Sequence, residues 1–410
     1  MSATTLSPPL LIRAASPLPS DGRPFDVEAA TERLALALAA TAVERDRAGG
    51  HAAAERALIR DSGLLALVVP REAGGIGADW PTLYRSVRRL AEVDSALAHV
   101  FAFHHLQIAS ILLFGNDEQR ARLLGQTIRE RLFWGNALNP LDPRLVAVRV
   151  EGGWQLDGVK SYASGSVGSD RLLFSARTPE PNAAVLIAQL ATRTAGLEVR
   201  EDWDSFGQRQ TDSGTVRFEA VFLPDREVLQ VPGTLPTPRS TLRQLISQLV
   251  MGNVYLGIAR GAFDSAKRFT VDSARPWLAS GVTRAADDPY VQHRYGELWL
   301  HVRAAQAVTD AAALALQGAL DRGPALTAAE RAEVAIVVAE AKVLTHRAAI
   351  EVSTQLFELT GARSTSEKLR LDRFWRNARV HTLHDPVDYK LRDIGRYRLD
   401  GRPPEPTPYS

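Results

Sequence analysis

Apolar positions along the chain fall into three successive regimes. From Phe25 to about Glu130 they recur at helical spacing. Asp26 is placed to cap a helix with Val27, Ala30, Leu34, Leu36 and Leu38 on its apolar positions, ending at Gly49-Gly50. A second helix is expected over about 51–60 and another from Trp80-Pro81. Between them, 64–70 is too short and too apolar for a surface helix, and Gly74-Gly75-Ile76-Gly77 behind it reads as a turn-rich loop. The run 95–115 is apolar on nearly all sides and predicts a buried helix carrying His99, His104 and His105.

Near Phe133 the period shortens to two. Val146, Val148 and Val150 alternate, Gly152-Gly153 turns the chain, and Trp154 and Leu156 alternate again before Asp157-Gly158. Further strand-like runs over 171–176, 184–190 and 215–221 imply an all-β insert, a sandwich or small barrel. From about Ser240 helical spacing returns. A first long helix should end before Pro276, a second covers about 290–320, and a third opens with the capping box Thr327-Ala328-Ala329-Glu330 and closes at Gly361. Long helices with short connections make a bundle. The expected fold class is mainly α with a β insert. Its parts are an extended arm over 1–25, a helical domain over 26–131, a β domain over 132–238, a helical bundle over 239–400 and an extended tail over 401–410.

Composition narrows the chemistry. At 410 residues the chain can bury more than one sizeable core. With 49 basic and 47 acidic residues, nothing suggests a nucleic-acid surface. The absence of cysteine excludes disulfides, thiolate metal ligands and thiol nucleophiles. No run of eighteen apolar residues suggests a membrane span, and the proline-rich start lacks the pattern of a signal peptide, so the expected address is the cytoplasm. No Gly-x-Gly-x-x-Gly follows a strand, so no nicotinamide site is expected.

The densest chemistry lies in Phe374-Trp375-Arg376-Asn377-Ala378-Arg379-Val380-His381-Thr382-Leu383-His384-Asp385-Pro386. On a helix, Phe374, Ala378, His381 and Asp385 share one face. Pro386 should stop that helix near Asp385, and Asp385 then suits the N-cap of the next. Three readings compete for this junction: a structural corner, a metal site, or a catalytic imidazole oriented by a carboxylate. A metal site needs a third ligand, and no His or Cys cluster supplies one, so none is expected.

The order and size of the three regions resemble the acyl-CoA dehydrogenase fold. Pro70-Arg71-Glu72-Ala73-Gly74-Gly75-Ile76-Gly77 is similar to that family's Pro-Glu-x-x-Gly-Gly-x-Gly loop. Phe133-Trp134-Gly135-Asn136-Ala137 falls at its first flavin-contacting strand. Gly158-Val159-Lys160-Ser161-Tyr162-Ala163-Ser164-Gly165 resembles the segment that meets the flavin ring. The resemblance runs over about 26–400, with two departures. Where the dehydrogenases carry a catalytic glutamate, this chain reads Leu383-His384-Asp385-Pro386. Their Gly-Gly-x-Gly turn, which holds the adenine half of FAD, reads Thr360-Gly361-Ala362-Arg363, where a guanidinium suits a terminal phosphate. Both departures imply FMN and oxygen chemistry in place of FAD and desaturation.

A narrower similarity fits them. Asp202-Trp203 through Gly207-Gln208-Arg209-Gln210-Thr211-Asp212-Ser213-Gly214, then Ala274-Arg275-Pro276-Trp277, Asp372-Arg373-Phe374-Trp375-Arg376-Asn377 and His384-Asp385-Pro386-Val387 are similar to the flavin-dependent monooxygenases built on this fold, the dibenzothiophene monooxygenases among them. That resemblance implies a two-component system. A separate NAD(P)H:flavin reductase supplies FMNH2, O2 gives a flavin C4a-hydroperoxide, and one oxygen passes to an organosulfur, dibenzothiophene-like or related aromatic substrate. It implies Asn136, Ser164 and Trp203 around the flavin ring, and Arg275 and Arg363 at the phosphate. His99 and His384 would stand at the reacting side with Asp385 beside the latter, and Ser164 would add a donor. Phe103 replaces a pocket tyrosine of the relatives. A homotetramer, as a dimer of dimers, follows from the same resemblance. Two alternatives stand beside it: an acyl-CoA dehydrogenase with FAD and its base moved to Asp385, and a non-catalytic flavin-fold binding protein.

Overall fold

The computed structural model describes residues 24–179 and 184–408. The arm expected over 1–25 therefore lies outside the described residues except for its last two positions. Five helices come first: α1 (Val27–Ala48), α2 (Ala53–Asp61), α3 (Trp80–Val93), α4 (Ser95–Phe114) and α5 (Asp117–Glu130). The starts of α1, α3 and α4 follow local chemistry, since in each an aspartate accepts a backbone N–H left free by the first turn. Asp26 accepts from Ala29 at 2.9 Å, Asp79 from Thr82 at 2.9 Å and Asp94 from Leu97 at 3.0 Å. The segment 64–70 is buried up to Val69 and forms one tight turn over Leu64–Ala66. Helix α4 has the length and composition of a membrane span, yet its apolar surface is enclosed by the rest of the molecule.

Eight strands follow: β1 (Trp134–Ala137), β2 (Leu145–Val150), β3 (Gly153–Lys160), β4 (Arg171–Arg177), β5 (Val185–Ala191), β6 (Leu197–Val199), β7 (Val216–Pro224) and β8 (Val228–Gln230). The sheet order is β6-β7-β3-β2-β4-β5-β8, with β1 added parallel to β4. Strands β2 and β4 meet at a single pair, Val146 with Arg177. The two halves on either side of that joint share one core, in which Phe174 of β4 and Phe218 of β7 lie 5.0 Å apart between ring centroids. The sandwich-or-barrel expectation thus resolves to one continuous sheet with a common core for its two halves.

The C-terminal part holds α6 (Leu242–Asp272), α7 (Pro289–Asp321), α8 (Ala328–Thr360), α9 (Asp372–Thr382) and α10 (Val387–Asp400). Helix α6 stops four residues before Pro276, and α8 opens on the expected capping box. The tail over 401–408 is not helical. Glycines let α3 and α6 cross closely: a Cβ at Gly261 would stand 2.0 Å from the carbonyl oxygen of Glu92. One apolar core runs through α1, α3, α4, α6, α7, α8 and α9. The N-terminal helices and the bundle are therefore continuous, and the β domain packs against α4.

Strand β1 is buried at all four positions, so it shows no alternation. It is fixed to α4 by His104, whose Nδ1 accepts the Trp134 backbone N–H at 3.2 Å while Nε2 lies 2.9 Å from the Leu65 carbonyl. A ring with one nitrogen accepting from an N–H and the other facing a carbonyl must carry its hydrogen on Nε2. That contact sets the position of Asn136 two residues further on.

Candidate active site

His99, Phe103 and Gln107 recur every four residues on α4 and so share one face, spanning about 12 Å at 1.5 Å per residue. All three are buried. At one end the His99 ring lies 3.9 Å from Phe103 and 4.7 Å, edge on, from His381 of α9. At the other end Gln107 Nε2 donates to Asn136 Oδ1 at 3.0 Å. This stripe joins the histidines of the last helices to the strand of the β domain.

The β-domain side is built from two loops. The Asn136 N–H donates to the Ser164 carbonyl at 2.9 Å. Ser164 Oγ lies 2.8 Å from Ser213 Oγ, Ser213 Oγ donates to Thr211 Oγ1 at 2.8 Å, and Thr211 Oγ1 donates to the Gln208 carbonyl at 3.0 Å. Trp203 Nε1 donates to the same carbonyl at 2.9 Å. The Gln208 N–H in turn donates to Asn377 Oδ1 of α9 at 2.7 Å, and Asn377 Nδ2 donates to Ser95 Oγ at 3.0 Å. Only glycine fits at 207, where a Cβ would stand 2.2 Å from the Arg376 carbonyl oxygen. Tyr162, Gln208 and Asp212 all take left-handed backbone conformations, at φ 55°, 52° and 49°. Such positions in non-glycine residues cost energy and collect at functional sites. Asp212 is held by His51 at 2.8 Å and Arg56 at 3.3 Å.

The junction after α9 departs from expectation. Helix α9 ends at Thr382, and Pro386, not Asp385, is the N-cap of α10, with no side-chain cap bond. Asp385 is taken by a residue 43 positions earlier: buried Lys342 of α8 places Nζ 3.0 Å from Asp385 Oδ1. His384 Nδ1 lies 3.1 Å from the same oxygen. A buried ion pair with an ammonium outweighs a single cap bond to an exposed backbone N–H. Lys342 also lies 5.0 Å over the Tyr255 ring, and Tyr255 Oη donates to the His381 carbonyl at 2.8 Å. Helices α6, α8 and α9 thus hold the corner jointly. Asp385 also lines a cavity of about 490 Å³ between α10 and the tail.

Electrostatics follow from that burial. Burial would raise the Asp385 carboxyl, but the Lys342 ammonium and His384 outweigh it and hold it below the usual carboxylate range. An ionised carboxylate only accepts, so His384 Nδ1 carries a hydrogen. Burial, with a smaller contribution from His384, lowers His99 to about 3. His381 is driven well below its ordinary value by burial and then by His99 and His384. Both are neutral rings.

Arg363 and Arg275 are both exposed. Arg363 Nη1 donates to the Ser273 carbonyl at 3.1 Å, two residues before Arg275. Helix α6 runs unbroken from Tyr255 to Asp272, about 25 Å at 1.5 Å per residue. The two arginines therefore lie toward the far end of α6 from the corner, while Asn136, Ser164, Trp203, His99, Phe103, His384 and Asp385 lie elsewhere along the fold.

His99 Nδ1, both ring nitrogens of His381 and Gln107 Oε1 are buried without a protein partner. Unpaired buried polar atoms beside the flat Phe103 ring suit a planar heterocycle with carbonyl and ring-nitrogen groups. These residues fit the ring of FMN. Residues 27–131 match the acyl-CoA dehydrogenase N-terminal domain and residues 249–389 its C-terminal domain. The chain belongs to the acyl-CoA dehydrogenase family. It is 44% identical over 392 residues to the probable FMNH2-dependent monooxygenase SfnC of Pseudomonas putida, covering 96% of this chain and 99% of that one. Its structure is similar to methanesulfinate monooxygenase MsuC of Pseudomonas fluorescens, with a TM-score of 0.92, 46% identity, and 93% and 99% of the two chains covered. It is likewise similar to TdsC of Paenibacillus sp. A11-2, a dibenzothiophene monooxygenase, in complex with FMN and indole, with a TM-score of 0.90, 39% identity, and 94% and 99% covered. Within the family it is a flavin-dependent monooxygenase.

Gln107, Lys342 and Tyr255, which take part in these contacts, escaped sequence reasoning, while Asn377, Thr211 and Ser213 stood in the quoted stretches without a role assigned to them. Gln107 carried a signal, because it stands at helical spacing from His99 and Phe103. His381 stood in the dense C-terminal stretch, on the buried face with Phe374 and Ala378.

Proposed function

We propose that this chain is the oxygenase of a two-component system, taking FMNH2 from a separate NAD(P)H:flavin reductase in the cytoplasm and inserting one oxygen atom into a small organosulfur compound. The balance is FMNH2 + O2 + sulfide → FMN + sulfoxide + H2O. The observation that carries this reading is the α4 stripe, in which His99, Phe103 and Gln107 join the His381–His384 corner to Asn136 and Ser164.

Reduced FMN, when bound, supplies the two electrons and the ring chemistry that activate O2. Asn136, whose Oδ1 is occupied by Gln107, turns amide hydrogens toward its surroundings. His384, fixed at Nδ1 by Asp385, directs Nε2 away from that carboxylate to hold or pass a proton at the reacting oxygen. Phe103 and the neutral His99 give an apolar wall that keeps water out and accepts a flat or soft substrate. Arg275 and Arg363, about 25 Å along α6 from the corner, suit the phosphate of a flavin whose ring sits on another subunit, which supports a homotetramer arranged as a dimer of dimers. The relatives named for sulfur substrates support the substrate class.

A dehydrogenase reading fails at its base. Asp385 is the carboxylate at the required place, and its pairing with Lys342 makes it a weak acceptor for an α-proton. The test supplies photoreduced FMN and O2 to the purified protein with thiophenes, sulfides, sulfinates, amines and indoles. Product gaining one or two oxygen atoms from a sulfur compound is expected. Bleaching of bound FAD by an acyl-CoA, or product from amines alone, would sink the reading.

A further inference from the structure

The hydroxyl row Ser164–Ser213–Thr211 ends on a group that can only accept. The Gln208 carbonyl takes the indole hydrogen of Trp203 and the hydroxyl hydrogen of Thr211. With its single hydrogen committed there, Thr211 Oγ1 can only accept from Ser213 at 2.8 Å. Ser213, its hydrogen now committed, can only accept from Ser164 at 2.8 Å. All four residues are buried, so bulk water does not reset the order. The Ser164 hydrogen therefore points to Ser213, and Ser164 Oγ faces its other neighbours with lone pairs alone. This reverses the donor role expected of Ser164 from resemblance.

We propose that Thr211 and Ser213 set the redox-state specificity of flavin binding, by holding Ser164 as an obligate acceptor that favours the reduced ring. Reduced isoalloxazine carries a ring N–H where the oxidised ring has a bare nitrogen lone pair. An acceptor bonds the first and repels the second. The benefit to a two-component oxygenase is direct: reduced flavin is captured from solution and oxidised flavin is released. The inference rests on the function proposed above and on the place at the flavin ring that resemblance implies for Ser164.

Dissociation constants of FMN, by fluorescence quenching, and of FMNH2, by anaerobic equilibrium dialysis, test it without turnover. The wild type is expected to hold FMNH2 on the order of tenfold or more tighter than FMN, the worth of one hydrogen bond gained against one refused. Ser213→Ala removes the acceptor and frees the Ser164 hydroxyl to turn, so the preference should fall to within about twofold of unity. Thr211→Val should move it the same way, and Thr211→Ser, which keeps the hydroxyl, should retain it. A preference unchanged in folded Ser213→Ala overturns the proposal; if that variant does not fold, an unchanged preference in Thr211→Val does so. A wild type that binds neither flavin instead overturns the functional reading on which the proposal rests.

Discussion

Gln107 Nε2 donates to Asn136 Oδ1 at 3.0 Å, and its own Oε1 is buried without a partner. A helix of the core thereby decides which end of a β-strand amide is left free for a ligand. Gln107→Leu should release Asn136 and weaken FMN binding by about fivefold to tenfold, the equivalent of one hydrogen bond. Thermal stability should change little, because the substitution also removes an unpaired buried oxygen. Flavin titration alongside a melting curve checks both; full affinity in the variant would mean that the backbone alone orients Asn136.

Lys342→Met should be costly for a different reason. It leaves the Asp385 carboxylate buried without its ammonium, a change worth about 3–5 kcal/mol. The double variant Lys342→Met with Asp385→Asn should recover part of that loss, since both charges are gone. Urea unfolding of the single and double variants gives the coupling, and strictly additive losses would show that the pair contributes nothing.

Local signals in the sequence were legible and distant ones were not. Asp26 and the Thr327/Glu330 box act within one helical turn, so their neighbours in sequence are their partners in space. The same logic misassigned Asp385 as a cap, because Lys342 lies 43 positions away in sequence and 3.0 Å away in space. Resemblance singles out His384, Asn136, Ser164 and Trp203, but the direction of the Ser164 hydrogen depends on Ser213, Thr211 and a backbone carbonyl in another loop. Strand β1 pairs parallel with β4 at a separation of 37 residues, which alternation alone does not reveal.

Acid should unfold this protein earlier than its carboxylates alone would dictate. Burial lowers His99 to about 3, and lowers His104 to about 3 against the opposing bond to Leu65. Below pH 6.5 the unfolded chain binds protons at these rings that the folded chain refuses, so stability falls with falling pH from 6.5 toward 3. Each ring contributes a slope of about 1.4 kcal/mol per pH unit, or roughly 2 kcal/mol each at pH 5. Denaturant unfolding at pH 7.5 and pH 5, at fixed protein concentration, measures this. Equal stability at the two values would mean that these rings already carry charge in the folded protein.

His384→Ala separates catalysis from folding. The side chain is partly exposed, and its ring bonds an oxygen that Lys342 already holds, so its loss should leave stability within about 1 kcal/mol of wild type. Flavin binding should persist, because the hydroxyl row, Asn136 and the two arginines do not depend on it. What is lost is the group proposed above to hold a proton at the reacting oxygen. Product should fall by about two orders of magnitude or more, with reduced flavin diverted to hydrogen peroxide. Asp385→Asn is expected to combine a smaller catalytic loss with a marked loss of stability. The reason lies in the unpaired Lys342 ammonium it leaves buried and not in the helix that follows. Parallel assays of product and peroxide, set beside thermal melts of both variants, distinguish the two effects. Wild-type product without excess peroxide in His384→Ala would reduce this junction to a structural corner.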